Sequence, residues 1–187
     1  MARAVTLTSA LFVSLLIASA SSGTRLAATA ECHMSQLAVT AGPYISEAAE
    51  QHTLALRLVN YGKQVCVLDG YPRLTLYDTR GMIPFRIRVG GDQMISTRSP
   101  KLVRLQPGAA AFLLLNKNTC VNGFSRGATM LKIATPSAPG TGVASFRFPP
   151  NMPYPWRIPD SCAKAIDPGS VITVSPFVPT VRAALKR

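Results

Sequence analysis

Short stretches of alternating apolar and polar residues recur along the chain, each closed by turn-forming residues. His52-Thr53-Leu54-Ala55-Leu56-Arg57-Leu58 is the clearest. Successive side chains of a strand point to opposite faces, so Leu54, Leu56 and Leu58 share one face. Asn60-Tyr61-Gly62-Lys63 then makes a turn. Leu37-Ala38-Val39, Cys66-Val67-Leu68, Leu74-Thr75-Leu76-Tyr77 and Phe85-Arg86-Ile87-Arg88-Val89 read the same way. So do Lys101–Leu105, Ala111–Leu115, Thr129–Ile133, Ala144–Phe148 and Val171–Val174. No apolar i, i+3, i+4, i+7 pattern lasts three turns beyond the N-terminal stretch, and 15 Pro with 13 Gly leave helices little room. The pattern predicts an all-β, immunoglobulin-like antiparallel β-sandwich of about nine strands. Gly90–Pro100, Pro136–Gly142 and Pro149–Pro159 read as loops.

The first 30 residues follow a different rule. Arg3 precedes an apolar run from Ala10 to Ala18, and small residues follow. This is the layout of a secretory signal peptide, with Ala18-Ser19-Ala20 and Ala28-Thr29-Ala30 both fitting the cleavage rule. The run is shorter than the roughly 20 apolar residues that a membrane span needs. Lipid attachment at Cys32 would require a small residue before it, and Glu31 stands there. The expected organisation is a signal peptide over 1–30 and one domain over 31–187, secreted or held in the extracytoplasmic envelope.

In that compartment the four cysteines, Cys32, Cys66, Cys120 and Cys162, read as two disulfides, with three connectivities open on paper. Cys32 lies just before the first strand and Cys66 just past the second. If those strands are antiparallel neighbours, the two ends meet. Cys120 likewise follows one strand and Cys162 precedes the last. Strand-end geometry therefore favours Cys32–Cys66 and Cys120–Cys162.

These same residues carry a family resemblance. Leu56–Gly62 forms a strand followed by an Asn-x-Gly turn, Cys66–Pro72 has the form C-x-L-x-G-Y-P, and Leu105–Ala111 the form L-x-P-G-x-x-A, with Cys120 beyond. In this order they resemble the exported actinobacterial domain of unknown function numbered 4232, over about Cys32 to Ile133 and more loosely to Cys162 and the last strand. The resemblance implies an extracytoplasmic β-sandwich. It implies no reaction, and no catalytic residue is carried over with it.

Charge adds a binding hypothesis. The chain carries 20 basic and 8 acidic residues, a formal +12, and Arg3 and Arg25 account for two of those charges in the leader. Arg86, Arg88, Arg98, Lys101 and Arg104 crowd one stretch against a single acid, Asp92. Arg86 and Arg88 share a strand face, opposite Phe85, Ile87 and Val89. Outside the cell such a patch would attract an anionic envelope polymer or lipid headgroups. An ordinary solvated face gives the same pattern. Nucleic acid is not expected, since no interleaved aromatic platform accompanies the charges.

Catalysis finds little footing. The two histidines, His33 and His52, stand in no nucleophile–base motif, and the acids form no recognisable glycosidase pair. Cys32-His33-Met34 invites a copper reading, because imidazole and thioether ligands suit Cu(I). Adjacent strand residues face opposite ways, however, and Met commonly fills cores, so His33 and Met34 are weak ligands and no cofactor is expected. Tyr154 and Trp156 in the Pro-rich segment could meet a sugar or peptide, or simply cover a sheet edge. The sequence thus predicts an exported, monomeric, non-catalytic sandwich that binds an anionic envelope component. A copper-binding protein is the alternative and an uncharacterised enzyme the third reading.

Overall fold

The structure is a computed structural model and is described for residues 29–45, 50–121, 125–136, 142–150, 160–162 and 168–186. The expected signal peptide up to residue 28, Tyr154 and Trp156 lie outside the described residues. A 3-10 turn (Met34–Gln36) opens the domain, followed by β1 (Leu37–Ala41), β2 (Gln51–Asn60), β3 (Cys66–Leu68), β4 (Arg73–Asp78), β5 (Gly81–Ile83) and β6 (Arg86–Val89). Next come β7 (Val103–Leu105), β8 (Ala110–Asn118), β9 (Ser125–Gly127), β10 (Met130–Ala134), β11 (Ala144–Arg147), β12 (Asp160–Cys162) and β13 (Val171–Val174). A four-residue helix, α1 (Val181–Ala184), lies near the end. The fold is all-β, with more and shorter strands than the nine expected. β5, β9 and β12 span three residues each, too few to show an alternation in sequence.

Two sheets form the body. One has the order β1-β2-β8-β13-β6 and the other β11-β10-β4-β5, with two-stranded ribbons β12–β9 and β3–β7 beside them. Leu54, Leu56 and Leu58 from β2 and Leu113 and Leu115 from β8 meet Leu76, Leu131, Ile133 and Phe146 from the second sheet in one buried cluster. This is a sandwich-like packing, and each fully buried Leu contributes about 1.5–3 kcal/mol relative to an exposed one. Among the described residues the named strands pair antiparallel in every case except one. β13 runs parallel to β6, Thr173 lying beside Arg88, which corrects the expectation of a purely antiparallel sandwich. Parallel neighbours need a long crossover, and the chain between residues 89 and 171 supplies it.

The five-stranded sheet is covered on its outer face as well. Ala55, Leu114, Ile45, Ile95, Val178 and Ala184 form a smaller cluster there. The chain after β13 builds it. Val178 exchanges backbone hydrogen bonds of 2.8 and 3.0 Å with Phe112, Ser96 N donates to Ala184 O at 2.9 Å, and Lys186 N donates to Met94 O at 2.8 Å. The apolar part of this face is thus strapped over by residues 176–186.

Cys32 and Cys66 are joined, with a sulfur–sulfur distance of 2.03 Å. β1 and β2 are antiparallel neighbours, as the expectation required. The bond is held more directly by the segment before β1, which runs beside β3: Cys32 N donates to Val67 O at 2.8 Å and Val67 N to Ala30 O at 3.0 Å. This is the one disulfide described, against the two expected. Cys120 is disulfide-bonded, but the side chain of Cys162 lies outside the described residues. No helix among the described residues is long and apolar enough to cross a membrane.

Candidate functional site

At one end of the β2–β8 pair the apolar sequence stops on both strands. β2 begins Gln51-His52-Thr53 and β8 ends Asn116-Lys117-Asn118, and the antiparallel register sets Gln51 opposite Asn118, His52 opposite Lys117, and Thr53 opposite Asn116. Alternation divides these pairs between the two faces. His52 and Lys117 turn inward with Leu54 and Leu115 and are buried. Thr53 and Asn116 turn outward, beyond the limit of the strap. Thr173 lies beside Asn116, and Arg88 beside Thr173. A polar row, Thr53–Asn116–Thr173–Arg88, therefore crosses four strands.

Hydrogen bonds fix this row. The Thr53 hydroxyl donates to Asn116 Oδ1 at 2.7 Å. Asn116 Nδ2 donates to Gln51 Oε1 at 2.6 Å and to Asp92 Oδ2 at 2.7 Å. Gln51 Nε2 donates to Asn118 Oδ1. Asn116 is 1% exposed, so its amide is oriented by protein alone. Asp92 is positioned by a loop that needs two glycines. Gly90 and Gly91 have φ of 59° and 77°, and a Cβ on Gly90 would stand 2.6 Å from Ser96 O. After that turn, Asp92 Oδ1 accepts from Met94 N and Ile95 N at 2.8 and 2.6 Å.

Asn116, Thr173 and Arg88 of this row line a cleft of about 390 Å³, together with Asp92, Gln93 and Lys186. Both oxygens of the Asp92 carboxylate already accept protein hydrogen bonds. The ion pair described lies elsewhere, between Arg80 and Asp78 at 3.6 Å. None engages Arg88 or Lys186 among the described residues. The cleft thus sets two exposed cations, Arg88 and Lys186, beside a buried floor whose Asn116 amide is hydrogen-bonded within the protein. That combination suits an anionic group carrying further hydrogen-bonding atoms.

The five basic residues singled out from sequence are not all brought here. Arg86 and Arg88 share β6, the edge strand, and Arg88 alone of the five lines the cleft. Arg98 and Lys101 are exposed on the connection to β7, with the Tyr71 hydroxyl donating to Arg98 O at 3.2 Å. Arg104 sits on β7 in the β3–β7 ribbon and donates to Thr29 Oγ1 at 3.2 Å. The face of β6 opposite Arg86 and Arg88 holds Ile87 and Val89. They are 44% and 56% exposed, because an edge strand has no cover beyond it. His33 and Met34 diverge: His33 is exposed, 3.4 Å from the Ser35 hydroxyl, and Met34 is buried in the core. Among the described residues no three His, Cys, Asp or Glu side chains come together to hold a metal ion.

Gln51, Asn116, Thr173 and Lys186 went unnoticed in the sequence. A signal was present, in the polar tripeptides that begin β2 and end β8, since antiparallel pairing brings such ends together.

The family model described as Domain of unknown function (DUF4232) matches residues 32–178. The chain belongs to this family. No curated protein and no solved structure matches it. The DUF4232 match begins at Cys32, half of the described disulfide, and takes in the whole polar row, while Lys186 lies beyond its end.

Proposed function

We propose that this DUF4232 protein is an exported, non-catalytic, immunoglobulin-like sandwich that binds an anionic polymer of the cell envelope at the cleft beside Arg88. The observation that carries the reading is the convergence of Arg88 and Lys186 over the ordered floor of Asn116 and Thr173. A guanidinium meets carboxylate or phosphate oxygens with a planar fork of donors, and neighbouring amides add orientation that a bare charge lacks. The formal charge of +12, of which +10 remains without the leader's Arg3 and Arg25, favours encounter with such a polymer at long range. A second disulfide, Cys120–Cys162, and removal of the leader at one of the two Ala-x-Ala sites complete the reading.

Retention on purified cell wall at rising salt tests it, because exposed charge interactions are screened over about 10 Å at 0.1 M salt. Binding is expected to fall steeply with salt and to be mostly lost in the Arg86→Glu/Arg88→Glu variant. Thermal stability should stay within about 0.5 kcal/mol, as for surface substitutions generally. Retention that ignores both salt and charge reversal overturns the proposal, and preferential binding to anionic lipid vesicles replaces the polymer with a membrane surface.

A further inference from the structure

A second cleft, independent of the first, lies where the 3-10 turn at Met34–Gln36 meets the turn after β2. Its volume is about 670 Å³, it is open along one side, and Ser35, Gln36, Tyr61, Lys63 and Gln64 line it. Tyr61 is 73% exposed, a large aromatic ring held out in water. We propose that this cleft binds a saccharide, with one sugar ring stacked on Tyr61.

The backbone that carries the ring is held firmly. Asn60 is fully buried just before it. Its Nδ2 donates to Gln64 O at 2.9 Å and Leu105 O at 3.2 Å, and its Oδ1 accepts from Gly62 N at 2.8 Å. Tyr61 N donates to Gln36 O at 3.0 Å, which ties the two turns together. A Cβ on Gly62 would stand 2.9 Å from Asn60 Oδ1 and 3.1 Å from Gln36 Oε1, so a side chain there would crowd the two turns where they meet. On the other side Met34 and Leu37 are buried in the core, which anchors the turn that exposes Ser35 and Gln36. A backbone already held in place loses little entropy on binding, which favours affinity at a shallow site.

The lining chemistry selects the ligand. The face of an aromatic ring carries partial negative charge and attracts the C–H edges of a sugar's apolar face. The side chains of Gln36, Gln64 and Ser35 supply both donors and acceptors for ring hydroxyls. A protein contact would call for further exposed apolar side chains around the tyrosine. Of the other apolar residues lining this cleft, Leu37 is buried and Ala38 half-buried. A cleft of this volume lies in the range of roughly 300–1,000 Å³ usual for small-ligand sites.

Saturation-transfer NMR and calorimetry on the intact protein, with chitotetraose, maltohexaose and mannohexaose as probes, test the inference. At least one probe is expected to bind, with transfer from the Tyr61 ring, and to bind equally at low and high salt. Tyr61→Ala should weaken it about tenfold, the loss of one stacked ring, while Tyr61→Phe stays within about twofold. Gln64→Ala should weaken it less, and Arg86→Glu/Arg88→Glu not at all. The melting temperature of Tyr61→Ala, unchanged because the side chain is exposed, serves as the folding control. The inference is overturned if no probe binds at millimolar concentration or if Tyr61→Ala binds as the parent does. Self-association that Tyr61→Ala abolishes would overturn it too, making the tyrosine a protein contact.

Discussion

The two faces of the five-stranded sheet use the same strands for different ends. The inner face, from Leu54 to Leu58 and from Leu113 to Leu115, is apolar to the point where β2 and β8 turn polar, and it packs against a whole second sheet. The outer face has only a small apolar cluster, strapped over by residues 176–186, and past the strap it becomes the polar row ending at Arg88. The inner face is saturated by its own fold. The outer face is ordered by its own hydrogen bonds, and past the strap it ends at the exposed Arg88, where a ligand can be met. Alternation lets one strand serve both purposes, because neighbouring residues such as Thr53 and Leu54 never face the same environment.

The largest expected difference between the faces is energetic. Leu56→Ala, on the inner face, should cost about 3–5 kcal/mol, and Leu114→Ala, under the strap, about 2–3 kcal/mol, since a thin cover collapses more readily onto a cavity. Urea denaturation of both variants checks this, and equal losses would break the contrast. Next in size is the Cys32–Cys66 bond, whose sulfurs lie in the inner core. Its partners are 34 residues apart, and removing it as Cys32→Ser/Cys66→Ser should lower stability by about 3–4 kcal/mol on the chain-entropy account while leaving cell-wall retention unchanged in the folded protein. The smallest effect sharpens the outer face. Asn116→Ala leaves Thr53, Gln51 and Asp92 short of a partner and should cost about 1–3 kcal/mol, less than the Leu56 change, yet it should remove most of the retention. A variant that loses stability and retains cell wall as before would detach the polar row from binding.

Much of this architecture is legible from alternation alone. Leu54, Leu56 and Leu58 read as one face, and they are one face, because the second sheet covers all three and their burial outweighs any local preference. The Cys32–Cys66 pairing is legible from strand ends, since antiparallel neighbours bring such ends together. What sequence hides is lateral order. Nothing local in Arg86–Val89 says that this strand lies at an edge, so Ile87 and Val89 pass for core residues. Nothing in Val171–Val174 announces a place between β8 and β6. The site depends on that order entirely: Arg88 and Asn116 are brought to one cleft only because Thr173 comes between them. The basic stretch from Arg86 to Arg104 shows the converse, being close in sequence and divided between the five-stranded sheet, a connection and the β3–β7 ribbon.

The place of β13 has a kinetic consequence. The strand formed last along the described chain lies inside its sheet, joining β8 to β6 across some eighty intervening residues. Neither the polar row nor the strap exists until that strand docks, and docking must first meet the closure entropy of a long loop, which grows slowly with length but yields no contacts until it is complete. Refolding should accordingly proceed in order, with β1, β2 and β8 gaining protection from amide exchange early and β6 only when the C-terminal strand arrives. Until then the outer edge of β8 stays unpaired and open to other chains, so the interval before docking is when this domain is most exposed to mispairing.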